Sequence, residues 1–302
     1  MRMQVEEVQC KTALNPIKSN FLPFRWDLNI YRGCSHACVY CFARYTHEYL
    51  GYQGAKDFEQ QIKVKVNIAE VLEKQISSCR FKGGVISIGG ISDVYQPLEK
   101  KYQLTRKCLE VIAKQGVNVS ICTKSPLILR DLDLLQKIKR QNFCTVAMTV
   151  ITLNQNLAQK LEPFAPPVAA RIEALRKLKA AGIPVGLHLM PIMPNLTDNE
   201  TDLRKMLELM QAIKIDYLIS GYLNVRSSVR GRLFPFLQQE FPGLLGFYRR
   251  LYTSPRNSQL KSELRRRKIK IDCLIAQYHF STGLKWPRSR AGARGKQMRL
   301  GV

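Results

Sequence analysis

The sequence of 302 residues predicts an α/β fold, and three observations lead to this class. Short apolar segments rich in β-branched residues alternate with segments whose apolar residues recur at helical spacing. Glycine and proline mark most of the boundaries between them. A hydrophobic fraction of 45% is enough for a sizeable core. Strands that alternate with helices imply a parallel sheet with right-handed crossover connections.

The first half of the chain begins this alternation. Glycines on both sides of an apolar run predict a short buried strand at 83–90. A long helix is predicted at 58–78 from apolar residues at helical spacing, which are Ile62, Val66, Ala69, Leu72 and Ile76. The remaining elements are predicted as strands at 27–33 and 117–123 and helices at 104–114 and 130–140.

The second half continues with three strands and two helices. The strands are predicted at 143–151, 184–190 and 215–222, and the helices at 168–181 and 198–213. The first of these helices stops before Gly182, a residue type that commonly follows a helix. The second begins with acidic residues, which suit the positive end of the helix dipole. Six strands are therefore expected before residue 223.

Residues 224–302 are predicted to form a less regular, basic extension, with packed turns at 234–237 and 241–243. The chain has a net charge of +25, and residues 249–302 contain 13 more basic than acidic residues. The densest run is 265–270, and further basic residues are spaced through 286–299. Such clustering favours an anionic macromolecule as partner, with nucleic acid preferred. A solvated basic face without a partner, or general affinity for acidic surfaces, is the alternative.

Nine cysteines, an odd number, fit a reducing cytosol better than a disulfide scaffold. The N-terminus lacks the apolar core of a signal peptide, and no run of eighteen apolar residues occurs. A cytoplasmic protein without membrane spans is therefore expected. Four cysteines in apolar or helical surroundings are predicted to be small buried hydrophobic residues, namely Cys79, Cys108, Cys122 and Cys144.

Three further cysteines lie close together in the loop 33–44. Cys34, Cys38 and Cys41 have the spacing Cys-x3-Cys-x2-Cys, and the next cysteine along the chain is Cys79. Three thiolates can hold three irons of a cubane cluster and leave the fourth iron open to another ligand. A structural zinc knuckle is the alternative. His36 lies between the cysteines and is interpreted as a neighbour of the ligands rather than a ligand.

This loop resembles the signature of radical S-adenosylmethionine (radical SAM) enzymes. The resemblance implies a partial (β/α)6 barrel at 1–223, followed by the basic extension at 224–302. It also implies a [4Fe–4S] cluster and S-adenosylmethionine (SAM) as cofactors, and an electron donor such as a flavodoxin or ferredoxin. In that superfamily, one electron cleaves SAM to a 5′-deoxyadenosyl radical, which abstracts hydrogen from a substrate.

A second stretch narrows the resemblance. Residues 89–99 read Gly-Gly-Ile-Ser-Asp-Val-Tyr-Gln-Pro-Leu-Glu and resemble a motif of the spore-photoproduct-lyase-like, or DNA-repair-photolyase-like, branch. Similar segments follow in order at 123–125, 129–135, 161–163, 171–173 and 191–195. The resemblance covers roughly residues 25–200 and makes a lyase-like or modifying enzyme the leading hypothesis.

The resemblance also implies site residues. The cluster would be held by Cys34, Cys38 and Cys41. The SAM-binding residues would be Tyr40, Gly89, Gly90, Ser92, Asp93, Lys124, Thr152 and Asn154. Among them, the Asp93 carboxylate suits the amino group of SAM, the Lys124 ammonium suits its carboxylate, and the Tyr40 ring suits its adenine. His188 is as well explained as a core histidine as by catalysis.

Two positions depart from true spore photoproduct lyases. Gly90 stands where they carry a hydrogen-donating cysteine, and Phe42 stands where they have a tyrosine after the last cluster cysteine. The lyase's own repair reaction is therefore not expected, and Tyr95 or a cysteine elsewhere is the candidate donor. The leading hypothesis is a radical SAM enzyme acting on nucleic acid. Radical modification of a protein or peptide is one alternative, and a non-enzymatic iron–sulfur nucleic-acid-binding or redox-sensing protein is another. The sequence leaves the oligomeric state open.

Overall fold

The computed structural model describes residues 3–19, 22–253, 258–280 and 287. Its strands are β1 Gln4–Val8, β2 Leu14–Pro16, β3 Phe24–Leu28, β4 Tyr31–Arg32, β5 Gln61–Lys65, β6 Val85–Ile88, β7 Asn118–Thr123, β8 Cys144–Thr149, β9 Val185–Ile192 and β10 Tyr217–Tyr222. The basic residues noted at 286–299 all lie outside the described residues, since only Pro287 is described in that range.

Twelve α-helices occur in the described ranges, with short 3₁₀ turns at Phe42–Arg44 and Pro126–Asp131. The helices are α1 Tyr45–Glu48, α2 Asp57–Gln60, α3 Ile68–Ile76, α4 Glu99–Tyr102, α5 Leu104–Gln115, α6 Leu132–Gln141, α7 Gln155–Leu161, α8 Val168–Ala180, α9 Glu200–Ile213, α10 Ser227–Glu240, α11 Pro242–Thr253 and α12 Ser258–Gln277. None of these helices has the length and apolar character needed to cross a membrane.

A seven-stranded sheet in the order β10-β9-β8-β7-β6-β3-β2 forms the centre of the fold. Six of its strands pair in parallel, namely β3, β6, β7, β8, β9 and β10. Strand β2 pairs with β3 at the edge in the antiparallel direction. Since β10 and β2 are the two edges, the sheet does not close. The predicted partial (β/α)6 barrel is confirmed.

Alternate positions of the sheet face different layers. Val119, Ile121, Val146, Met148, Leu187 and Leu189 belong to the large core between the sheet and its helices. The intervening side chains project to the opposite, concave face. There Tyr217 of β10 fills the space over Gly186 of β9, where an added Cβ would lie 2.3 Å from the tyrosine ring. The concave face is therefore partly filled by side chains of its own strands.

The region 58–78 differs from the predicted long helix. Residues Gln61–Lys65 form β5, which pairs with β1 and β4 in a separate three-stranded sheet, and the helix α3 begins only at Ile68. Ile62 and Val64 are buried with a period of two, which is the spacing of a strand. The first predicted strand is likewise divided between β3 in the large sheet and β4 in the small one.

The extension after residue 223 is more regular than predicted. It contains α10, α11 and α12, and the turn expected at 234–237 lies within α10, with Pro235 inside the helix. Only the second expected turn, at 241–243, falls at a junction, between α10 and α11. Leu233, Leu237 and Tyr248 pack in one apolar cluster with Cys38 and Tyr40. The α10–α11 pair therefore supports the cysteine loop directly.

Candidate active site

The cysteine loop lies at the carboxyl ends of the parallel strands. Parallel strands gather their following loops at one edge, where such sheets place their active groups. The loop after β6 reaches the cysteine loop through His36, whose Nδ1 lies 3.4 Å from Asp93 Oδ2. The loop after α7 reaches it as well, since Val39 N donates to the Leu161 carbonyl at 2.9 Å. Segments far apart in sequence thus meet around the three cysteines.

Backbone hydrogen bonds hold the loop in one conformation. The buried Gln96 side chain accepts from Ser35 N at 3.0 Å and donates to the Gly33 carbonyl at 3.2 Å. Gly33 has φ +87°, and a Cβ at this position would lie 2.8 Å from the Phe58 carbonyl oxygen. Arg44 donates to the Cys38 carbonyl at 2.8 Å and pairs with the buried Glu59. The loop is therefore fixed from both ends.

The three loop cysteines fit an iron–sulfur cluster by their chemistry. All are free thiols; Cys34 and Cys38 are buried and Cys41 is half-buried. Burial raises the pKa of Cys34 and raises that of Cys38 to about 12, while backbone N–H groups of Asp93 and His36 lower the pKa of Cys34. Bare thiolates are costly in such a place, and iron would supply the compensating charge. Soft sulfur donors with amide N–H groups beside them suit such a cluster.

A mononuclear metal site is not formed by these side chains. Among the residues that the structure describes, no three His, Cys, Asp or Glu side chains converge on one metal ion. A cubane cluster takes one thiolate at each of three irons, so its ligands need not converge on a single point.

Glu162 is the centre of a buried charge network beside the loop. Its carboxylate accepts from the Tyr40 hydroxyl, and Arg171 donates to its second oxygen at 2.5 Å. Lys124 Nζ lies 3.9 Å from Glu162 Oε1 and 5.8 Å from the Tyr40 ring centre. The buried Glu162 carboxylate thus faces two cations, Arg171 and Lys124. In the sequence, Glu162 lies within the motif match at 161–163, and no local pattern marks it as a site residue.

Asp93 has protein partners for both carboxylate oxygens. Oδ1 accepts from Thr123 Oγ1 at 2.7 Å and from Tyr95 N at 2.9 Å, and Oδ2 accepts from Lys124 N at 2.7 Å. These bonds join the loop after β6 to the end of β7. Asp93 thereby positions Lys124. The sequence had predicted only that Asp93 contacts an amino group.

The two glycines after β6 differ in their surroundings. Gly89 has φ +92°, and an added Cβ would lie 2.1 Å from the Cys122 carbonyl oxygen. At Gly90, an added Cβ would meet Asp27 Oδ1 at 3.4 Å, which is an ordinary contact. Ser92 donates to the Tyr31 carbonyl at 2.9 Å and fixes the end of this loop. Gly89 is thus required by a close backbone approach, whereas Gly90 presents an exposed backbone.

Three other predicted site residues have local partners. Thr152 Oγ1 accepts from Asn154 N at 3.1 Å, and Asn154 Oδ1 accepts from Leu157 N at 3.0 Å, where it caps α7. Tyr95 is only 1% exposed and belongs to the large core. Burial and the Asp131 carboxylate raise the pKa of Tyr95 well above its ordinary value. This enclosure argues against a substrate contact by the phenol, and the catalytic role of Tyr95 stays a prediction.

The cysteines outside the loop only partly match their prediction. Cys108 and Cys144 are buried, as expected, whereas Cys79 is exposed. Cys122 is half-buried on the concave face, where its Sγ lies 3.1 Å from His188 Nδ1 and 3.6 Å from Thr149 Oγ1. Cys122 is therefore not a simple core residue, and His188 has a specific polar partner.

Comparison with known proteins identifies the family. Residues 28–208 match the family described as the radical SAM superfamily. An uncharacterized protein of Mycobacterium tuberculosis is 36% identical over 247 residues, which are 82% of this chain and 73% of that protein. A radical SAM Nalpha-GlyT isomerase of Pseudomonas phage M6 is 22% identical over 209 residues, covering 69% of this chain and 41% of the isomerase.

Solved structures share the fold. A spore photoproduct lyase variant with bound AdoMet and dinucleoside spore photoproduct has a TM-score of 0.56 at 18% identity, covering 79% of this chain and 66% of that one. A second spore photoproduct lyase variant has a TM-score of 0.61 at 16% identity over 92% of this chain and 79% of the other.

The chain belongs to the radical SAM superfamily and is an enzyme that uses a [4Fe–4S] cluster and SAM. This membership removes the non-enzymatic alternative that the sequence had left open.

Proposed function

We propose that this radical SAM enzyme abstracts hydrogen from a nucleic-acid substrate. The observation that carries the choice of substrate is the position of the basic helix α12. Arg267 of this helix donates to Asn195 Oδ1 at 2.7 Å and to Asp198 Oδ2 at 3.0 Å. Both acceptors lie in the loop after β9, at the carboxyl-end rim where the cysteine loop is located. The cationic surface is therefore fixed beside the candidate active site.

The exposed face of α12 has the charge that a phosphate backbone requires. Arg265, Arg266 and Lys270 are exposed and form no ion pair within the described part of the chain. Glu263 and Asp272 are the acidic residues of this helix. Apolar anchoring by Ile271 and Leu274 in the core keeps the cationic face outward. Lysine and arginine side chains held in this way neutralise phosphates and release counterions.

A groove between α12 and the rim adds an aromatic side chain to this surface. Tyr222, at the end of β10, lines it together with Arg204, Arg267 and Lys270. Asp198 and Glu200 lie there too, and each already pairs with an arginine. Tyr222 is half-buried, so a base could stack on the open part of its ring while the backbone follows the cations, as in the binding of single strands.

In this proposal Cys34, Cys38 and Cys41 hold the cluster, and the neighbouring residues receive SAM. Bound there, the cluster and SAM supply one-electron chemistry that generates a carbon-centred radical. Lys124 offers its ammonium to the SAM carboxylate, since Glu162 is shared with Arg171 and does not cancel both cations. The exposed backbone at Gly90 leaves space for the methionine part.

Further supports for the SAM site are less direct. The Glu162 hydrogen bond fixes the Tyr40 ring, which stays our candidate contact for adenine. Asp93 and Ser92 set the loop after β6. Thr152 and Asn154 stay candidates near the ribose through the remaining lone pairs of their side-chain oxygens.

Two similar proteins are consistent with this choice of substrate. One spore photoproduct lyase variant of the same fold was solved with a dinucleoside spore photoproduct, and the phage relative is named a Nalpha-GlyT isomerase. The low identity to both leaves the target atom undefined, so the proposal is limited to nucleic acid as a class.

The test compares nucleic-acid binding of the reconstituted enzyme across a salt series. The variant Arg265→Gln/Arg266→Gln should reduce the slope of log affinity against log salt by about 2, because each lost phosphate contact accounts for about one unit. The matched control is Lys139→Gln/Arg140→Gln at the end of α6, which precedes β8 and so lies at the opposite rim. The probes are a DNA oligonucleotide, an RNA oligonucleotide and an acidic peptide.

An equal slope for both variants would reject α12 as the nucleic-acid surface. Tighter binding of the acidic peptide, with a shallow slope on both oligonucleotides, would favour radical modification of a peptide or protein instead.

A further inference from the structure

Cys122 and His188 form a polar pair on the concave face that no motif in the sequence assigns. Cys122 lies on β7 and His188 on β9, and the intervening strand β8 contributes Thr149. All three side chains alternate with core residues of their strands and so project away from the helices. Both Cys122 and His188 are half-buried, so solvent reaches the pair from the concave side.

The pair is close to the groups that we assign to SAM. Lys124 follows Cys122 by two residues and therefore lies on the same side of β7. The Cys122 carbonyl is the group that Gly89 approaches most closely. The thiol is thus directly below the rim at which SAM and substrate would meet. The other cysteines outside the loop are less suited. Cys108 and Cys144 are buried in the core, Cys79 and Cys273 are at the surface, and Cys10 follows β1 of the small sheet.

We propose that Cys122, positioned by His188, is the hydrogen-atom donor that returns hydrogen to the substrate radical in this enzyme. A thiol S–H bond is weaker than an aliphatic C–H bond, so a carbon radical is quenched readily by a thiol within reach. The inference rests on the radical chemistry of the superfamily and not on the nature of the substrate. It gives the chain a donor although Gly90 carries no side chain.

The step balances with one electron and one proton. The S–H bond breaks and a C–H bond forms: sulfur supplies the electron, and the hydrogen shared between Sγ and Nδ1 supplies the proton. The thiyl radical on Cys122 then takes one electron from a protein reductant of the flavodoxin or ferredoxin class. It takes one proton through His188, which restores the thiol. His188 is a positioning residue that holds the sulfur and exchanges its proton.

The electrostatics around Cys122 agree with a sulfur that shares its proton with His188, so that sulfur can give the electron and the shared hydrogen the proton. Burial is the largest influence and raises the pKa of Cys122, but the lowering by its polar neighbours together outweighs it, and the charge and hydrogen bond of His188 are the first of these. The Thr149 hydroxyl and the Lys124 ammonium add to the lowering. Tyr217, from β10, also faces the pair, with its ring centroid 6.4 Å from that of His188. Cys144, in contrast, has its pKa raised by burial to about 12 and serves as an internal comparison.

The first experiment needs no turnover. The reconstituted holoprotein is alkylated with iodoacetamide over a pH series, and each cysteine is followed by mass spectrometry. The alkylation rate of Cys122 should reach half its maximum at a pH below the ordinary thiol pKa of about 8.5, because a lowered pKa gives more thiolate at a given pH. His188→Asn keeps a hydrogen-bonding group near Sγ but no titratable ring, and it should raise this midpoint by about one unit. If Cys122 reacts no faster than Cys144, the proposal is overturned.

The second experiment follows the hydrogen itself. The enzyme is given SAM and dithionite in D2O without substrate, so that the radical draws hydrogen from donors inside the site. A thiol exchanges its hydrogen with solvent, and the parent enzyme should therefore yield 5′-deoxyadenosine with one deuterium. Cys122→Ser should lower the deuterated fraction severalfold, while Cys273→Ser should match the parent.

An unchanged deuterated fraction in Cys122→Ser would overturn the proposal. Complete absence of 5′-deoxyadenosine from the parent enzyme would count against the radical chemistry itself, and the alkylation result would still decide whether Cys122 is a reactive thiol. The two failures are therefore distinguishable.

Discussion

At Gly89, in the candidate site, the backbone conformation and its surroundings require glycine. Its φ of +92° lies in the left-handed region, and any Cβ would lie 2.1 Å from the Cys122 carbonyl oxygen. A side chain here would push the loop after β6 away from β7. Because Asp93 and Lys124 are joined across the same gap, both would move with it.

We therefore expect Gly89→Ala to destabilise the protein more than a positive φ alone explains. Gly182 has a similar φ of +79° and nothing within 4 Å of an added Cβ, so Gly182→Ala is the matched control. The control should lose about 1–2 kcal/mol from backbone strain. Gly89→Ala should lose about 3 kcal/mol or more, since overpacking adds to the strain. Urea unfolding of the two reconstituted variants measures the difference, and equal losses would mean that the close approach to Cys122 is absent.

Residues of the site were predictable where the sequence carries a local pattern. The spacing of Cys34, Cys38 and Cys41 is visible in eight consecutive positions. The Glu162 network is not, because its partner Tyr40 is 122 residues away along the chain. Neither a buried carboxylate nor the Cys122–His188 pair has a spacing that periodicity can reveal. The burial of Tyr95 in the core was not predictable either, because a motif position does not report whether its side chain turns to the site or to the core.

At the scale of elements, α10 is tied to the cysteine loop through a shared carboxylate. Glu59, in α2, pairs with Arg44 at the end of the loop and accepts from Arg232 of α10 at 3.2 Å. Arg44 also donates to the carbonyls of Cys38 and Ala55, at 2.8 and 2.9 Å. The helical extension is therefore part of the support for the cluster and not an independent appendage.

We expect Arg44→Lys to loosen the loop, because one ammonium cannot replace three separate contacts of a guanidinium. The loss should be about 2–4 kcal/mol, since Arg44 is buried and its partners would be left unsatisfied. Arg232→Gln, at the more exposed side of the same carboxylate, should cost about 1 kcal/mol or less.

Iron release to a chelator under anaerobic conditions gives the comparison for these two variants. It should be several times faster in Arg44→Lys than in the parent and nearly unchanged in Arg232→Gln. Equal rates in Arg44→Lys and the parent would show that the loop does not depend on this anchor.

Most elements of the sheet were predictable, and the exceptions have physical causes. The apolar spacing at 62, 66, 69 and 72 fits a helix, yet β1 supplies a pairing partner that draws 61–65 into a strand. Tertiary pairing thus overrides local periodicity. The helices of the extension were missed because Pro235 and Pro242 suggested turns, although Pro242 stands at the first position of α11, where proline is tolerated.

At the scale of the whole molecule, charge and chemistry are arranged at one rim of the sheet. The cysteine loop, Lys124 and the base of α12 all lie at the carboxyl ends of the strands. If the substrate is the nucleic acid that we propose, electrostatic attraction would bring it to the same edge at which the radical would be generated. The division into a barrel at 1–223 and an extension at 224–302 stays a prediction, and the packing of α10 and α11 against the loop argues for cooperative folding of the two.

The central claim is that three loop thiolates hold a cubane cluster whose fourth iron is free to take SAM. The most direct measurement is the electron paramagnetic resonance spectrum of the anaerobically reconstituted, reduced protein, recorded with and without SAM. We predict about four irons per chain, a cluster signal that shifts when SAM is added, and no signal in a variant with all three loop cysteines changed to alanine. A protein that retains zinc, or a cluster signal that SAM leaves unchanged, would contradict the claim.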